Sequence, residues 1–182
     1  MINSKEKLKH VLDVETLLYL GKISSLKRLK LRFTNEFTYW IWAYVKSLRY
    51  CEYYLNGKGI SSKIFLAIQC RKKNRLGMRL EIEIHENCFE EGLYIYHGNI
   101  VVNSSVRCGK NCKLHGMNCI GNKGIYSKVP VIGDNVEFGF GSGAFGDIKI
   151  SSGCIVGANA IVVKSQEKEK SVLVGIPATC KK

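Results

Sequence analysis

The sequence predicts a mainly β protein, a β-solenoid preceded by an α-helical segment, and the main observation behind this is a six-residue period. Apolar residues recur at Val102, Cys108, Leu114, Ile120, Tyr126, Ile132, Phe138, Ala144, Ile150, Val156 and Val162. Small or apolar residues follow four places later, and glycine often follows immediately, where it accepts a positive φ. A period of six fits neither a helix nor a plain strand. It indicates stacked coils of short strands joined by tight turns.

The second observation is that residues 1–80 lack this period and resemble helices. An amphipathic helix is expected over 5–20, and Ser24 or Ser25 is a candidate cap for a second over 26–32. The aromatic-rich stretch 34–55 is expected to be helical until the Asn-Gly-Lys-Gly of 56–59 breaks it. A further helix is expected to begin at Ser61 or Ser62, run through 64–68 and end in the basic residues 71–75.

The third observation is the uneven distribution of charge. Residues 1–80 contain 17 Lys and Arg against 5 Asp and Glu, whereas residues 81–182 contain 11 against 10. Aromatic residues beside these cations favour a helical cap on the solenoid. Peripheral contact with an anionic membrane surface is the main alternative. Binding to nucleic acid is disfavoured because no recognised motif supports it. The sequence contains no run of 18 apolar residues, so no membrane-spanning helix is predicted.

The eight cysteines are predicted to be reduced, as in a cytoplasmic protein. No secretory signal opens the chain, and three of the cysteines occupy inward positions of the period, where a thiol acts as a small apolar group. The spacing of Cys108 and Cys112 could suggest a metal site, but no second pair with zinc-finger spacing follows. No metal is expected.

Two interruptions of the period are candidate functional regions. Phe89, Leu93 and Ile95 follow it one residue out of phase, so one extra residue is absorbed near 97–99. Such breaks often lie beside functional sites because they redirect side chains. The second interruption, 122–131, predicts an extruded loop. The predicted organisation is a helical segment 1–80, a solenoid 81–165 and a C-terminal tail 166–182 that packs on the solenoid.

The motifs of the solenoid resemble those of hexapeptide-repeat acyltransferases, in particular their serine acetyltransferase-like branch. They are Glu-Ile-His at 83–85, Gly-Leu-Tyr-Ile-Tyr-His at 92–97, Ile-Val-Val-Asn at 100–103, Leu-His at 114–115, Pro-Val-Ile-Gly-Asp-Asn-Val at 130–136, Val-Gly-Ala-Asn-Ala at 156–160 and Val-Gly-Ile-Pro-Ala at 174–178. The resemblance implies a left-handed parallel β-helix. It also implies a homotrimer that binds acetyl-CoA between neighbouring solenoids.

The resemblance also assigns candidate site residues. His97 matches the catalytic histidine, whose imidazole would take the proton of an acceptor hydroxyl. Glu83 matches, with one residue deleted, the carboxylate that orients this imidazole. The residues that match the coenzyme-binding turns are Gly139, Gly141, Ser142, Gly157, Ala158 and Ala160, with Lys164 as a partner for a coenzyme phosphate.

His115 follows His97 by 18 residues, which is one full coil, so both imidazoles are expected along one edge. A carbonic anhydrase-like metal site would need a third histidine, and His10 and His85 are poorly placed to supply it. His115 is therefore expected to line the acceptor site beside Tyr96.

Departures from the family pattern concern the acceptor. Tyr96 stands where serine acetyltransferases carry an aspartate, and Val129 stands where they carry a histidine. Their long acidic N-terminal helical domain is also missing. The sequence therefore predicts an acetyl-CoA-dependent O-acetyltransferase that acts on a sugar hydroxyl of a capsule or exopolysaccharide. L-serine is the second candidate acceptor, and a non-catalytic scaffold is the alternative of another class.

Overall fold

The computed structural model describes residues 1–124 and 128–181, which divide into two compact units, Met1–Ile82 and Glu83–Lys182. The helices are α1 (Lys5–Leu20), α2 (Ser25–Phe33), α3 (Phe37–Leu55) and α4 (Ile60–Leu80). The strands are β1 (Ile82–Ile84), β2 (Tyr94–Ile95), β3 (Ile100–Val102), β4 (Arg107–Cys108), β5 (Lys113–Leu114), β6 (Cys119–Gly121), β7 (Val131–Ile132), β8 (Glu137–Phe138), β9 (Gly143–Phe145), β10 (Lys149–Ile150), β11 (Ile155–Val156), β12 (Ile161–Val162), β13 (Val172–Val174) and β14 (Thr179–Cys180).

The first unit is a helical bundle in which α3 packs against α1 and α4. Its central residues, Ile41, Tyr44, Val45, Leu48 and Cys51, are all almost fully buried. The helix predicted over 5–20 is confirmed, as is the Ser24 cap of α2, whose hydroxyl accepts a hydrogen bond from the Lys27 N–H at 3.2 Å.

The predicted end of the last helix near residue 75 was wrong, because α4 continues to Leu80. Leu76 and Leu80 are buried, so the bundle core stabilises another turn beyond the basic residues. The helix ends where Glu81 takes a left-handed conformation and its N–H bonds to the Gly77 carbonyl.

The charged network of Arg49, Glu15 and Glu52 lies inside the bundle. The Arg49 guanidinium approaches Glu15 at 2.7 Å and Glu52 at 2.9 Å, and all three side chains are at most 2% exposed. Burial alone would lower the pKa of Arg49, but the two carboxylates outweigh burial and raise it.

The second unit is the predicted solenoid, with three parallel sheets around one core. The strand orders are β1-β3-β6-β9-β12, β4-β7-β10 and β2-β5-β8-β11-β13-β14, and β14 alone joins its described neighbour antiparallel. Every predicted inward residue that the structure describes is buried, whereas Tyr126 lies outside the described residues. The fold is that of a left-handed parallel β-helix preceded by helices.

The register explains both interruptions of the period. Val102 pairs with Ile120, 18 residues on, whereas Ile95 pairs with Leu114, 19 residues on. The extra residue lies in the turn that contains Asn99, which has a φ of 63°. Across the predicted loop the spacing grows to 24, as between Cys108 and Ile132. The middle of that loop, 125–127, is outside the part of the chain that the structure describes.

The glycines that follow inward residues serve a different purpose from the predicted one. Gly109, Gly133, Gly139 and Gly157 are not among the residues with positive φ. A Cβ on Gly139 would lie 2.7 Å from the Ala158 nitrogen of the next coil, so these glycines allow backbones to approach closely. Left-handed turn conformations occur elsewhere, for example at Asn111 and Asn135.

All eight cysteines fall within the described part of the chain and carry free thiols. Burial, together with the neighbouring Cys112 and Cys88 thiols, raises the pKa of the Cys108 thiol. Across residues 1–124 and 128–181, we find no helix long and apolar enough to span a bilayer.

Candidate active site

The turns that follow β2, β5, β8 and β11 stack on one corner of the β-helix. Backbone hydrogen bonds fix this stack: the His115 N–H donates to Phe138 at 3.0 Å, and the Gly139 N–H donates to Val156 at 2.7 Å. One column of the corner contains Tyr96, His115, Gly139 and Gly157. The adjacent column contains His97, Gly116, Phe140 and Ala158. The predicted catalytic histidine and the predicted coenzyme turns therefore lie in successive coils of one corner.

His97 is exposed on this corner, directly after Tyr96. The residue beside it in the next coil is Gly116, where an added Cβ would lie 2.8 Å from the His97 Cβ. Glycine at 116 therefore leaves the space that the His97 side chain needs at its base.

His97 and His115 lie on the same corner, as expected, but the 18-residue alignment predicted for them is off by one position. The extra residue of the first coil brings Tyr96, not His97, opposite His115. Their rings stack with centroids 4.3 Å apart and an interplanar angle of 29°. Tyr94 meets Tyr96 edge-on at 4.6 Å, so an aromatic surface adjoins His97.

The exposed edge of this surface continues to Glu137 in the third coil. The His115 Nε2 lies 2.7 Å from Oε1 of Glu137, and the Lys113 Nζ lies 3.3 Å from Oε2. Burial raises the pKa of the Glu137 carboxyl, but the hydrogen bonds from His115 and Lys113 outweigh burial, so the net shift is downward. Glu137 is therefore an ionised carboxylate that orients the His115 ring.

Glu83 lies on β1 with its side chain pointing outward and 70% exposed. Its Oε1 is 3.7 Å from Nε2 of His85, a contact between two exposed side chains. The predicted role of Glu83, to orient His97, stays a prediction.

The predicted coenzyme residues fall into two groups. Gly139, Gly141, Gly157 and Ala158 are at least partly exposed on the corner and can present backbone to a ligand. Ser142 and Ala160 are both fully buried. The Ser142 hydroxyl donates to the Gly139 carbonyl at 2.7 Å. These two side chains point into the β-helix and shape the turns, and their predicted contact with a coenzyme stays a prediction.

Lys164 and Val129 lie away from this corner in the fold. Lys164 is exposed two residues after β12, at the end of another sheet. Its predicted contact with a coenzyme phosphate thus requires a ligand that extends beyond the stacked turns. Val129 is half-buried within the predicted loop, two residues before β7.

Sequence reasoning missed Gly116, Asn118 and Glu137. Asn118 is buried and accepts a hydrogen bond from the Gly116 N–H at 2.9 Å, while its amide donates to the Gly139 carbonyl at 2.8 Å. It therefore ties the second turn to the third. The signal for Glu137 was its outward position directly before Phe138, but the inserted loop hid its alignment with Lys113, two residues before His115.

Comparison with solved structures identifies the class of the fold. The serine acetyltransferase of Neisseria gonorrhoeae superposes with a TM-score of 0.70 and 19% identity over 98% of this chain and 68% of that chain. A soybean serine acetyltransferase complexed with serine gives 0.69 and 19% over 97% and 70%. A serine acetyltransferase complexed with CoA gives 0.66 and 13% over 97% and 71%. The chain has the helices-then-β-helix fold of these hexapeptide-repeat acyltransferases.

Sequence comparison shows which branch the chain resembles. Serine acetyltransferases of Staphylococcus aureus and Staphylococcus epidermidis are 35% and 36% identical to this chain over 100 residues. The matched region is 53% of this chain and 46% of each relative, so the chain spans about half the length of these relatives. No protein-family profile matches the chain. The resemblance to the serine acetyltransferase-like branch is confirmed.

Proposed function

We propose that the protein is an acetyl-CoA-dependent O-acetyltransferase. The observation that supports this most directly is the stacking of the His97 turn with the turns of Gly139 and Gly157 on one corner of the β-helix. A ligand that lies along the glycine turns would bring its thioester end toward His97. The relatives, named as serine acetyltransferases, support acetyl transfer as the chemistry.

In this mechanism His97 acts as a general base. Its imidazole takes the proton of the acceptor hydroxyl while the oxygen attacks the thioester carbonyl. A C–O bond forms, the C–S bond breaks, and the leaving thiolate takes the proton from the imidazolium. The products are the O-acetyl ester and free CoA.

Replacement of His97 tests this mechanism. His97→Ala is expected to lower kcat by about 10²- to 10⁴-fold, the usual cost of losing a general base, while CoA binding measured by calorimetry is retained. His10→Ala, in α1, is the control and should leave kcat unchanged. Undiminished acetyl transfer by His97→Ala would contradict the role of His97 as the general base.

The comparisons favour L-serine as the acceptor, which the sequence placed second. Both curated relatives are serine acetyltransferases, and a solved one is complexed with serine. Under this proposal the protein acetylates L-serine with saturable kinetics.

A sugar hydroxyl is the second candidate, and the Tyr96–His115 stack favours it. An aromatic surface packs well against the apolar face of a sugar, whereas the ammonium of serine calls for a carboxylate. Measuring kcat/KM for L-serine against nucleotide-linked and lipid-linked sugars separates the two. If sugars are the acceptors, the natural protein does not acetylate L-serine, and Tyr96→Asp gains activity toward L-serine.

A homotrimer and peripheral membrane contact complete the proposal. The trimer would place acetyl-CoA between neighbouring β-helices, as the resemblance implies.

Membrane contact would use α2, where Leu26, Leu29 and Phe33 are 79%, 60% and 89% exposed beside several cations. Binding to vesicles that contain anionic phosphatidylglycerol should fall steeply as salt rises. Equal binding to neutral vesicles would contradict this contact.

A further inference from the structure

A cavity of about 620 Å³ lies in the helical bundle, and half of the residues that line it are cations. It lies between the end of α2, the start of α3 and the second half of α4. The cationic residues of its wall are Arg32, Arg71, Lys72, Arg75 and Arg79. The volume is within the range of about 300–1,000 Å³ that small-molecule sites occupy.

The wall carries positive charge without compensation. No carboxylate lines the cavity, and within residues 1–124 and 128–181 no ion pair or hydrogen bond joins any of the five cations to an acidic residue. Arg71, Arg75 and Arg79 recur every four residues, so they project from one face of α4. Like charges at this spacing destabilise a helix. The fold therefore tolerates a repulsion that a bound anion would relieve.

The opposite wall is aromatic. Trp40 and Tyr39 of α3 pack edge to face with ring centroids 5.3 Å apart, and the Arg79 guanidinium lies 5.4 Å from the centre of the Trp40 ring. The indole N–H of Trp40 is buried and has no acceptor among the described residues. The cavity thus combines a surplus of hydrogen-bond donors with a planar apolar surface.

From these features we infer that the cavity binds a diphosphate ester, a pyrophosphate group joined to an organic moiety. Arginine pairs bidentately with phosphate oxygens, and four arginines with one lysine match a ligand of several negative charges better than a single carboxylate. The aromatic wall provides a surface for the organic moiety. This ligand chemistry occurs both in soluble nucleoside diphosphates and in phospholipid-like diphosphates. The inference does not depend on the proposed acetyl transfer.

The test measures direct binding to the full-length protein by calorimetry. The soluble probes are inorganic pyrophosphate and, as a control anion, sulfate at the same ionic strength. The lipid probe is a phosphatidylcholine vesicle that contains a polyprenyl diphosphate. Its control is a vesicle with the same charge in phosphatidylglycerol, which carries a single phosphodiester. The informative variant is Arg71→Gln/Arg75→Gln, whose side chains are exposed, and its control is Lys58→Gln/Lys63→Gln, which removes two charges from α4 and the preceding turn outside the cavity.

We expect pyrophosphate to bind saturably and more tightly than sulfate. Arg71→Gln/Arg75→Gln should weaken this binding at least tenfold, with an unchanged circular dichroism spectrum, and the lysine control should retain it. Selective loss of vesicle binding in the arginine variant, with competition by pyrophosphate, would identify a lipid as the source of the phosphate. Saturable pyrophosphate binding without vesicle binding would identify a soluble ligand.

Three results would overturn the inference. The first is that neither probe binds saturably. The second is that both double variants weaken pyrophosphate binding equally. The third is a rise in the KM for acetyl-CoA in the arginine variant that accounts for its lost pyrophosphate binding. The last result would place pyrophosphate in the coenzyme site instead. Because calorimetry does not require turnover, a failure of acetyl transfer would leave this test intact.

Discussion

Single residues control the candidate site through the register of the first coil. The additional residue near Asn99 moves Tyr96, rather than His97, opposite His115. As a result, His97 stands over the small Gly116 while the aromatic ring of Tyr96 stacks on the His115 imidazole. The register of one residue therefore decides which side chain, His97 or Tyr96, stacks on the His115 ring.

Gly116→Ala tests this arrangement. The new Cβ would meet the His97 Cβ at 2.8 Å and the Gly98 carbonyl at 3.2 Å, so the His97 turn must shift. Displacing a catalytic group by about 1 Å can cost on the order of 100-fold in rate, and we expect kcat to fall by about 10- to 100-fold. Gly59→Ala is the matched control, since Gly59 also has a positive φ, 97°, but open space around it. Equal losses of activity in both variants would contradict the proposed contact.

Glu137 makes the β-helix sensitive to acid. Because the folded state lowers the pKa of this carboxyl, its ionised form stabilises the fold at pH values above the unfolded pKa of about 4.3. This contribution disappears as pH falls through the lower folded pKa. Glu137→Gln should therefore destabilise the protein at pH 7, by less than about 1 kcal/mol because the site is partly exposed.

The measurement is the free energy of unfolding in urea at a series of pH values from 7 down to 3. The difference between the natural protein and Glu137→Gln should shrink toward zero at the acid end. Glu169→Gln, on the exposed turn before β13, is the control. A difference that stays constant with pH would contradict a role for the carboxylate charge.

Among the helices, α1 and α3 are joined by the buried charges of Arg49, Glu15 and Glu52. Removing the cation takes the Arg49 contacts from two buried carboxylates, and breaking a buried ion pair typically costs about 3–5 kcal/mol. We expect Arg49→Met to lower the free energy of unfolding of the bundle by about that amount. Both tryptophans of the chain lie on α3, so their fluorescence in urea reports on this bundle.

The control for this prediction removes all three charges together. Arg49→Met/Glu15→Gln/Glu52→Gln should recover part of the lost stability, because the two side chains that lost the Arg49 contacts are then uncharged. Lys63→Met, on the exposed side of α4, should change the free energy of unfolding little. A small effect of Arg49→Met would show that water reaches the two carboxylates.

The elements also show what sequence could predict and what it could not. The inward positions of the β-helix were predictable because each coil must bury one large apolar residue every six positions, and Phe138 and Ile150 are fully buried as expected. The end of α4 was not predictable. The basic residues 71–75 resembled a helix end, whereas the packing of Leu76 and Leu80 in the bundle core extends α4 beyond them. The Tyr96–His115 stack and the Glu137 contact depend on how the coils align. This alignment is changed by the extra residue near Asn99 and by the loop inserted over 122–131.

At the scale of the whole molecule, one sheet of the β-helix offers a surface for the proposed trimer. The outward residues of β3, β6, β9 and β12 are Val101, Cys119, Gly143 and Ile161, which carry no charge. The outward residues of the β4-β7-β10 sheet include Arg107 and Lys149, which favour contact with water. The outward residue of β1 in the same sheet is the charged Glu83. The uncharged part of this face, over β3, β6, β9 and β12, is therefore the part suited to packing against a neighbouring subunit.

Val101→Glu should therefore weaken the trimer, because a carboxylate at the centre of a packed interface loses its hydration. Val131→Glu is a close control: Val131 is an outward strand residue on the other sheet, and the two valines are 48% and 53% exposed. Light scattering at micromolar concentration should give a trimer for the natural protein and Val131→Glu, and smaller species for Val101→Glu. Acetyl transfer should fall with the trimer, since the proposed coenzyme site lies between subunits. A stable monomer of the natural protein with full activity would refute both the trimer and that shared site.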